Sequence, residues 1–204
     1  MLFAEQSAKT FSEALASSAP VPGGGGACAL VGALGAALAS MVANLTSGKK
    51  KYAEYQEDIQ RILEDAAELQ ETLLRQIDED AKCFEPLSRA YGIPKDAPNR
   101  DQLMEDALQL ACTAPLSIMK TAARAAELHG ELLEKGSRLM LSDVGVGVLC
   151  CKTALSGASL NILINAGLMK DLAYAENLKA EVAALLDKYC ALCDHIYESV
   201  VQAL

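Results

Sequence analysis

Residues 20–51 read PVPGGGGACALVGALGAALASMVANLTSGKKK: a proline-punctuated turn, four glycines, an uncharged run from Ala27 to Leu45, and then Lys49, Lys50 and Lys51. The uncharged run has helix length and helix composition. Gly23–Gly26, which can take positive φ and bring bare backbone close to a ligand, lead straight into it. Backbone N–H groups of a glycine turn and of a first helical turn converge where the helix dipole favours negative charge, so this combination can hold an anion. The pattern is neither GxGxxG after a strand nor GxxxxGK[ST], and both nucleotide-loop readings lack their context. Ala27–Leu45 also reaches the length of a membrane span, with Ala29 and Ala33, Gly32 and Ala36, and Ala36 and Ser40 spaced four apart. Alanine and glycine dominate it, however, and Ser40 and Asn44 would face hydrocarbon. A buried helix of a bundle, or one at a subunit contact, is the better account, because small residues let a neighbouring backbone approach.

The chain has 204 residues, 51% hydrophobic content, 4% aromatics and no Trp, which means a core of Ala, Leu, Ile and Val. That core suits closely packed helices better than sheets, and the length suits one domain over residues 1–204, so the expected fold is a single-domain all-α bundle of long helices around the glycine-led one. A net charge of -9 argues against a nucleic-acid partner, which needs clustered Lys and Arg over a broad face. Met1–Thr10 lacks the uninterrupted apolar core of a secretory signal, and seven scattered cysteines are awkward in an oxidising compartment, so a cytoplasmic location with reduced thiols is expected. Cys190, Cys193 and His195 raise a zinc reading, but no fourth ligand stands at matching spacing, and no metal is expected.

Along the chain, Leu2–Ala16 reads as a first helix and Ser17–Gly26 as its break. Lys50–Ser88 reads as a long amphipathic helix whose apolar stripe includes Ile59, Ile62, Ala66, Leu69, Leu73, Ile77 and Phe84. Asp80 falls on that stripe, three residues after Ile77 and four before Phe84, while Asp78 and Glu79 rotate toward the polar side. A carboxylate there needs a compensating partner or a purpose, since desolvation raises its pKa and makes it a candidate proton carrier. An interhelical salt bridge or a cap is the structural alternative. Asn99 can cap a helix over Arg100–Cys112, with Pro115 restarting or kinking the chain before Leu116–Glu134. Ser142 and Asp143 stand just ahead of a helix over Val144–Ala166, on which Asn161 and Asn165 share a face, to be satisfied by neighbouring backbone or by a ligand. Leu172–Leu204 reads as the last helix.

Four segments, the run from Pro20 to Tyr52, IDEDAKCF (77–84), SDVGVGVL (142–149) and LNILIN (160–165), occur in this order over nearly the whole chain. Together they resemble the formimidoyltetrahydrofolate cyclodeaminase/methenyltetrahydrofolate cyclohydrolase family, which includes the C-terminal domain of formiminotransferase-cyclodeaminase. The resemblance implies an all-helical homodimer acting on one-carbon groups of tetrahydrofolate near the subunit contact, with no cofactor beyond that substrate; that no membrane is involved is expected from the composition of Ala27–Leu45. It implies Asp80 or Asp143 as proton carriers, Gly23, Gly24 and Gly25 as backbone walls, and Asn44, Asn161, Asn165 and Ser142 as substrate contacts. Lys49, Lys50 and Lys51 would meet the anionic glutamate tail. One departure stands out: the family usually has serine after three glycines, where this chain has Gly26. A helical folate-binding or scaffold protein without turnover is the alternative that this departure supports.

Overall fold

The computed structural model describes residues 2–204. Six α-helices appear among them: α1 (Ala8–Leu15), α2 (Gly24–Thr46), α3 (Gln56–Ala90), α4 (Arg100–Lys135), α5 (Leu141–Ala166) and α6 (Leu172–Ala203). No strand occurs among the described residues, as the aromatic-poor, alanine-rich composition leads one to expect.

The two uncharged helices hold the centre. α2 packs on α3, α4 and α5, and α6 closes the bundle against α5 and α4. α2 and α5 run antiparallel in close contact, since Gly24 lies by Asn161, Gly32 by Ala154 and Gly35 by Cys151 and Gly147. The small residues read from the sequence therefore serve backbone approach, as in any helix pair without bulk between the axes. At the central crossing, His129 of α4 is fully buried and its Nε2–H donates to the Gly35 carbonyl at 2.9 Å. A Cβ at Gly147 would overlap the His129 ring, so a glycine is required there. Burial holds the His129 pKa down at about 4, so the imidazole is neutral, and its Nδ1 has no hydrogen-bond partner.

Several boundaries differ from those expected. The first segment splits into a short 3-10 turn, Phe3–Glu5, held by Asp78 accepting from the Phe3 and Ala4 amides at 2.8 and 3.2 Å, and α1, capped by Ser7. Lys50–Tyr55 is a separate 3-10 turn because Tyr52 leaves helical geometry, and α3 begins at Gln56. Asn99 makes no side-chain cap; it takes positive φ (63°), which asparagine tolerates. α4 continues through Pro115 instead of restarting, because packing on both sides holds one helix together. Ser142 and Asp143 lie inside the first turn of α5, not ahead of it.

Candidate active site

The glycine-led stretch works differently from its sequence reading. α2 begins at Gly24, so three of the four glycines belong to its first turn, and the only glycine with positive φ among the described residues is Gly48. What Gly25 supplies is room. A Cβ there would lie 2.5 Å from Asp80 Cγ, so the Asp80 carboxylate of α3 rests directly against the bare first turn of α2. The anion that this helix N-terminus faces is the protein's own side chain.

Two opposed effects set the proton affinity of Asp80. Burial disfavours the charged form and dominates, raising its pKa from 3.8 to about 6, while the Gly26 backbone N–H favours the carboxylate and pulls the other way. No ion pair involves Asp80 among the described residues, so of the structural roles open to it the salt bridge is not the one realised. Its neighbours on the other side are backbone, the first turn of α2, where the Gly26 N–H favours the charged form.

Asp80 opens into a cavity of about 130 Å³. Gly23, Gly24 and Gly25 line it, Phe84 and Ile164 supply apolar surface, and Asn161 and Asn165 of α5 supply amides. Asn161 Nδ2 donates to Gly157 O of its own helix at 3.2 Å, and its side chain lies close enough to Gly24 that a Cβ there would meet Oδ1 at 3.4 Å. Asn165 is buried beside the Cys112 thiol. Pro20, Val21, Ala111, Ile164 and Pro115 also line the cavity, and sequence reading singled out none of them for the site. For Pro115 a signal was present: a proline inside an otherwise helical pattern.

Within one chain the structure thus brings together Gly23, Gly24, Gly25, Asp80, Asn161 and Asn165. The remaining candidates lie elsewhere. α2 spans 23 residues, or about 34 Å, and Asn44, Lys49, Lys50 and Lys51 stand at its other end. Ser142 and Asp143, at the start of α5, share that far end because α5 is antiparallel to α2. There, Lys49 Nζ donates to Ser137 Oγ at 3.1 Å, Asn44 Nδ2 to Ser40 O at 3.0 Å, and Tyr52 OH accepts from the Arg138 amide at 3.0 Å. That amide, with Lys51 and Lys49 nearby, holds the Tyr52 pKa below its usual value. Gly26 does not line the cavity; a Cβ there would meet Pro22 and Ile77 at 3.5 and 3.6 Å.

Residues 7–184 match the model of the formiminotransferase-cyclodeaminase family. The chain belongs to the formiminotransferase-cyclodeaminase family. It is 42% identical over 196 residues to a methenyltetrahydrofolate cyclohydrolase of Methylorubrum extorquens, with 94% of each chain covered. It is 30% identical over 188 residues to a formimidoyltransferase-cyclodeaminase of Rattus norvegicus, spanning 90% of this chain and 35% of that longer protein. Among solved structures, a formiminotetrahydrofolate cyclodeaminase of Thermotoga maritima superposes with a TM-score of 0.83 at 28% identity, covering 98% of this chain and 96% of that one. The resemblance read from the four sequence segments and the all-helical fold that it implied both hold.

Proposed function

We propose that this protein is a one-carbon folate enzyme at the methenyltetrahydrofolate node, and that Asp80 carries its proton. The observation that supports this most directly is a half-buried carboxyl with a pKa of about 6, set against the amide end of α2 in a cavity walled by two asparagines. A group titrating near working pH is suited to both halves of an acid–base cycle, typically contributing about 10² to 10⁴ in rate.

In the first reading, hydrolysis, Asp80 takes a proton from the water attacking the methenyl carbon. It returns that proton to the departing ring nitrogen as the five-membered ring opens, and the new carbonyl forms as the hydroxyl proton leaves to solvent. Formyltetrahydrofolate results. The 42% identity to a cyclohydrolase over nearly full length favours this reading. In the second, favoured by the likeness to the Thermotoga structure, nitrogen-10 attacks the carbon of the protonated formimidoyl group on nitrogen-5. Asp80 then removes the nitrogen-10 proton and delivers it to the departing amine, and ammonia leaves. Neither cycle calls for a cofactor beyond the folate or for a metal. The purified protein, given each substrate in turn, should bleach methenyl absorbance in the first case or generate it in the second. No change with either substrate would leave the non-catalytic folate-binding reading in its place.

The working unit of this reading is a cytoplasmic homodimer of single-domain chains. Only half of the apolar stretch of α2 and 44% of that of α5 are buried by the chain itself. The outward residues of α2, Ala27, Val31, Leu34, Leu38, Met41 and Leu45, advance by alternating fours and threes, the seam of a heptad pattern. Beside them on α5 stand Val146, Leu149, Leu160 and Ile164, also exposed. Two helices side by side over about 30 Å offer roughly 600 Å² per protomer, near the lower bound for a stable contact. A second copy satisfies this face better than lipid does, because charge then dictates an orientation. With α2 antiparallel to its partner, the lysine end of one chain meets the Asp80 end of the other; the parallel arrangement would crowd two sets of Lys49, Lys50, Lys51 and Arg138 together. The antiparallel dimer returns the far-end candidates, Asn44, Ser142, Asp143 and the lysines, to the rim of the partner's cavity, where the lysines suit the folate tail. Seven free cysteines agree with a reducing compartment, and the net charge of -9 with the absence of a nucleic-acid partner.

A further inference from the structure

α4 runs through Pro115 without a break. Proline has no N–H, so the carbonyl of residue 111, which an ordinary helix would pair with the amide of residue 115, lacks that donor. Ala111 and Pro115 both line the Asp80 cavity, and a helical carbonyl at 111 lies along the helix surface between them. Both residues are buried, so bulk water is a poor substitute, and a buried acceptor left unpaired is costly. The second proline inside a helix provides a contrast. Pro86 of α3 frees the carbonyl of residue 82, but Lys82 is exposed and solvent reaches it, and neither residue lines this cavity.

We propose that the Ala111 carbonyl is a substrate-recognition acceptor, held open by Pro115 to take a hydrogen bond from an N–H of the folate's pterin ring. The inference rests on the folate reading above and deepens it. A carbonyl can only accept, so it selects the ring edge that carries hydrogen and rejects the oxo edge. The Asn161 and Asn165 amides in the same lining offer both donors and acceptors and cannot impose that polarity alone. Pro115 is thereby a positioning residue: its ring touches the cavity, but its missing N–H sets the acceptor. The contact is made alike by bound substrate and transition state, so its loss appears in KM and not in kcat.

Pro115→Ala and Pro115→Val both restore an amide that captures the Ala111 carbonyl, and valine also retains apolar bulk. Each is expected to raise KM for the folate substrate, and the Kd of tetrahydrofolate, by roughly 10-fold with kcat changed less than about twofold, while Tm rises as a proline leaves the helix interior. Pro86→Ala should raise Tm with KM unchanged. Wild-type KM and Kd in Pro115→Val would overturn the inference, and weakening confined to Pro115→Ala would assign the effect to the lost ring contact instead. A wild-type protein that neither binds nor converts any tetrahydrofolate derivative would overturn the folate reading, and this inference with it, a result distinct from an unchanged KM.

Discussion

A single carboxyl illustrates how position alone makes a residue chemical. Asp80, Asp78 and Glu79 are neighbours in sequence, yet only Asp80 turns onto the apolar stripe of α3, where burial raises its pKa to about 6. A group whose folded pKa is raised adds stability below its unfolded value, 3.8, and loses that contribution as pH rises through about 6. At pH 7.5 the ionised Asp80 is therefore a cost to folding. Asp80→Asn should raise thermal stability at that pH by on the order of 1–3 kcal/mol while cutting kcat by about 10² or more. Turnover near wild type in the folded variant would remove Asp80 from the mechanism. His129 has the opposite sign: its pKa is lowered to about 4, so its contribution is present above 6.5 and is lost as pH falls toward 4. Between 4 and 6 the two slopes oppose each other. In Asp80→Asn the histidine's slope should stand alone, and thermal melts across that range should show stability falling with acidification.

At the scale of the element, the first turn of α2 is where backbone and chemistry meet. Its glycines are not equivalent. Gly25→Ala would place a methyl group in the Asp80 carboxylate and should reduce turnover nearly as far as Asp80→Asn does, although alanine is the better helix former. Gly26→Ala meets only ordinary contacts with Pro22 and Ile77, and should keep activity while gaining about 0.5–1 kcal/mol in a chemical denaturation curve. Equal loss of activity in both variants would mean that helix geometry, and not room for Asp80, is what the glycines supply. The sequence carried the presence of this turn clearly, through four glycines ahead of an uncharged run. It could not show that the anion is Asp80, because that pairing joins residues 55 positions apart by way of α2–α3 packing.

Across the whole molecule, the candidates fall into two groups about 34 Å apart, one at each end of α2. The proposed antiparallel dimer makes each site from both chains, and mixing tests this directly. Asp80→Asn and the triple variant Lys49→Ala, Lys50→Ala, Lys51→Ala should each be impaired at subsaturating folate. Co-expressed, they form heterodimers in which one of two sites is intact, and activity should recover to about a quarter of wild type. If both groups instead served one site within a single chain, the mixture would do no better than its parents.

The sequence by itself determined the all-helical class, the uncharged, small-residue character of α2 and α5, and the odd placement of Asp80, because periodicity and composition are local properties that a helix of 3.6 residues per turn displays along its own length. It also carried the family, through four segments in order. Only the tertiary structure decided which of the candidate residues share a cavity, that room at Gly25 rather than positive φ explains the glycine run, and that Pro115 continues a helix and lines the site. Those outcomes depend on how α2, α3, α4 and α5 approach one another in space, and no spacing within any one helix specifies that approach.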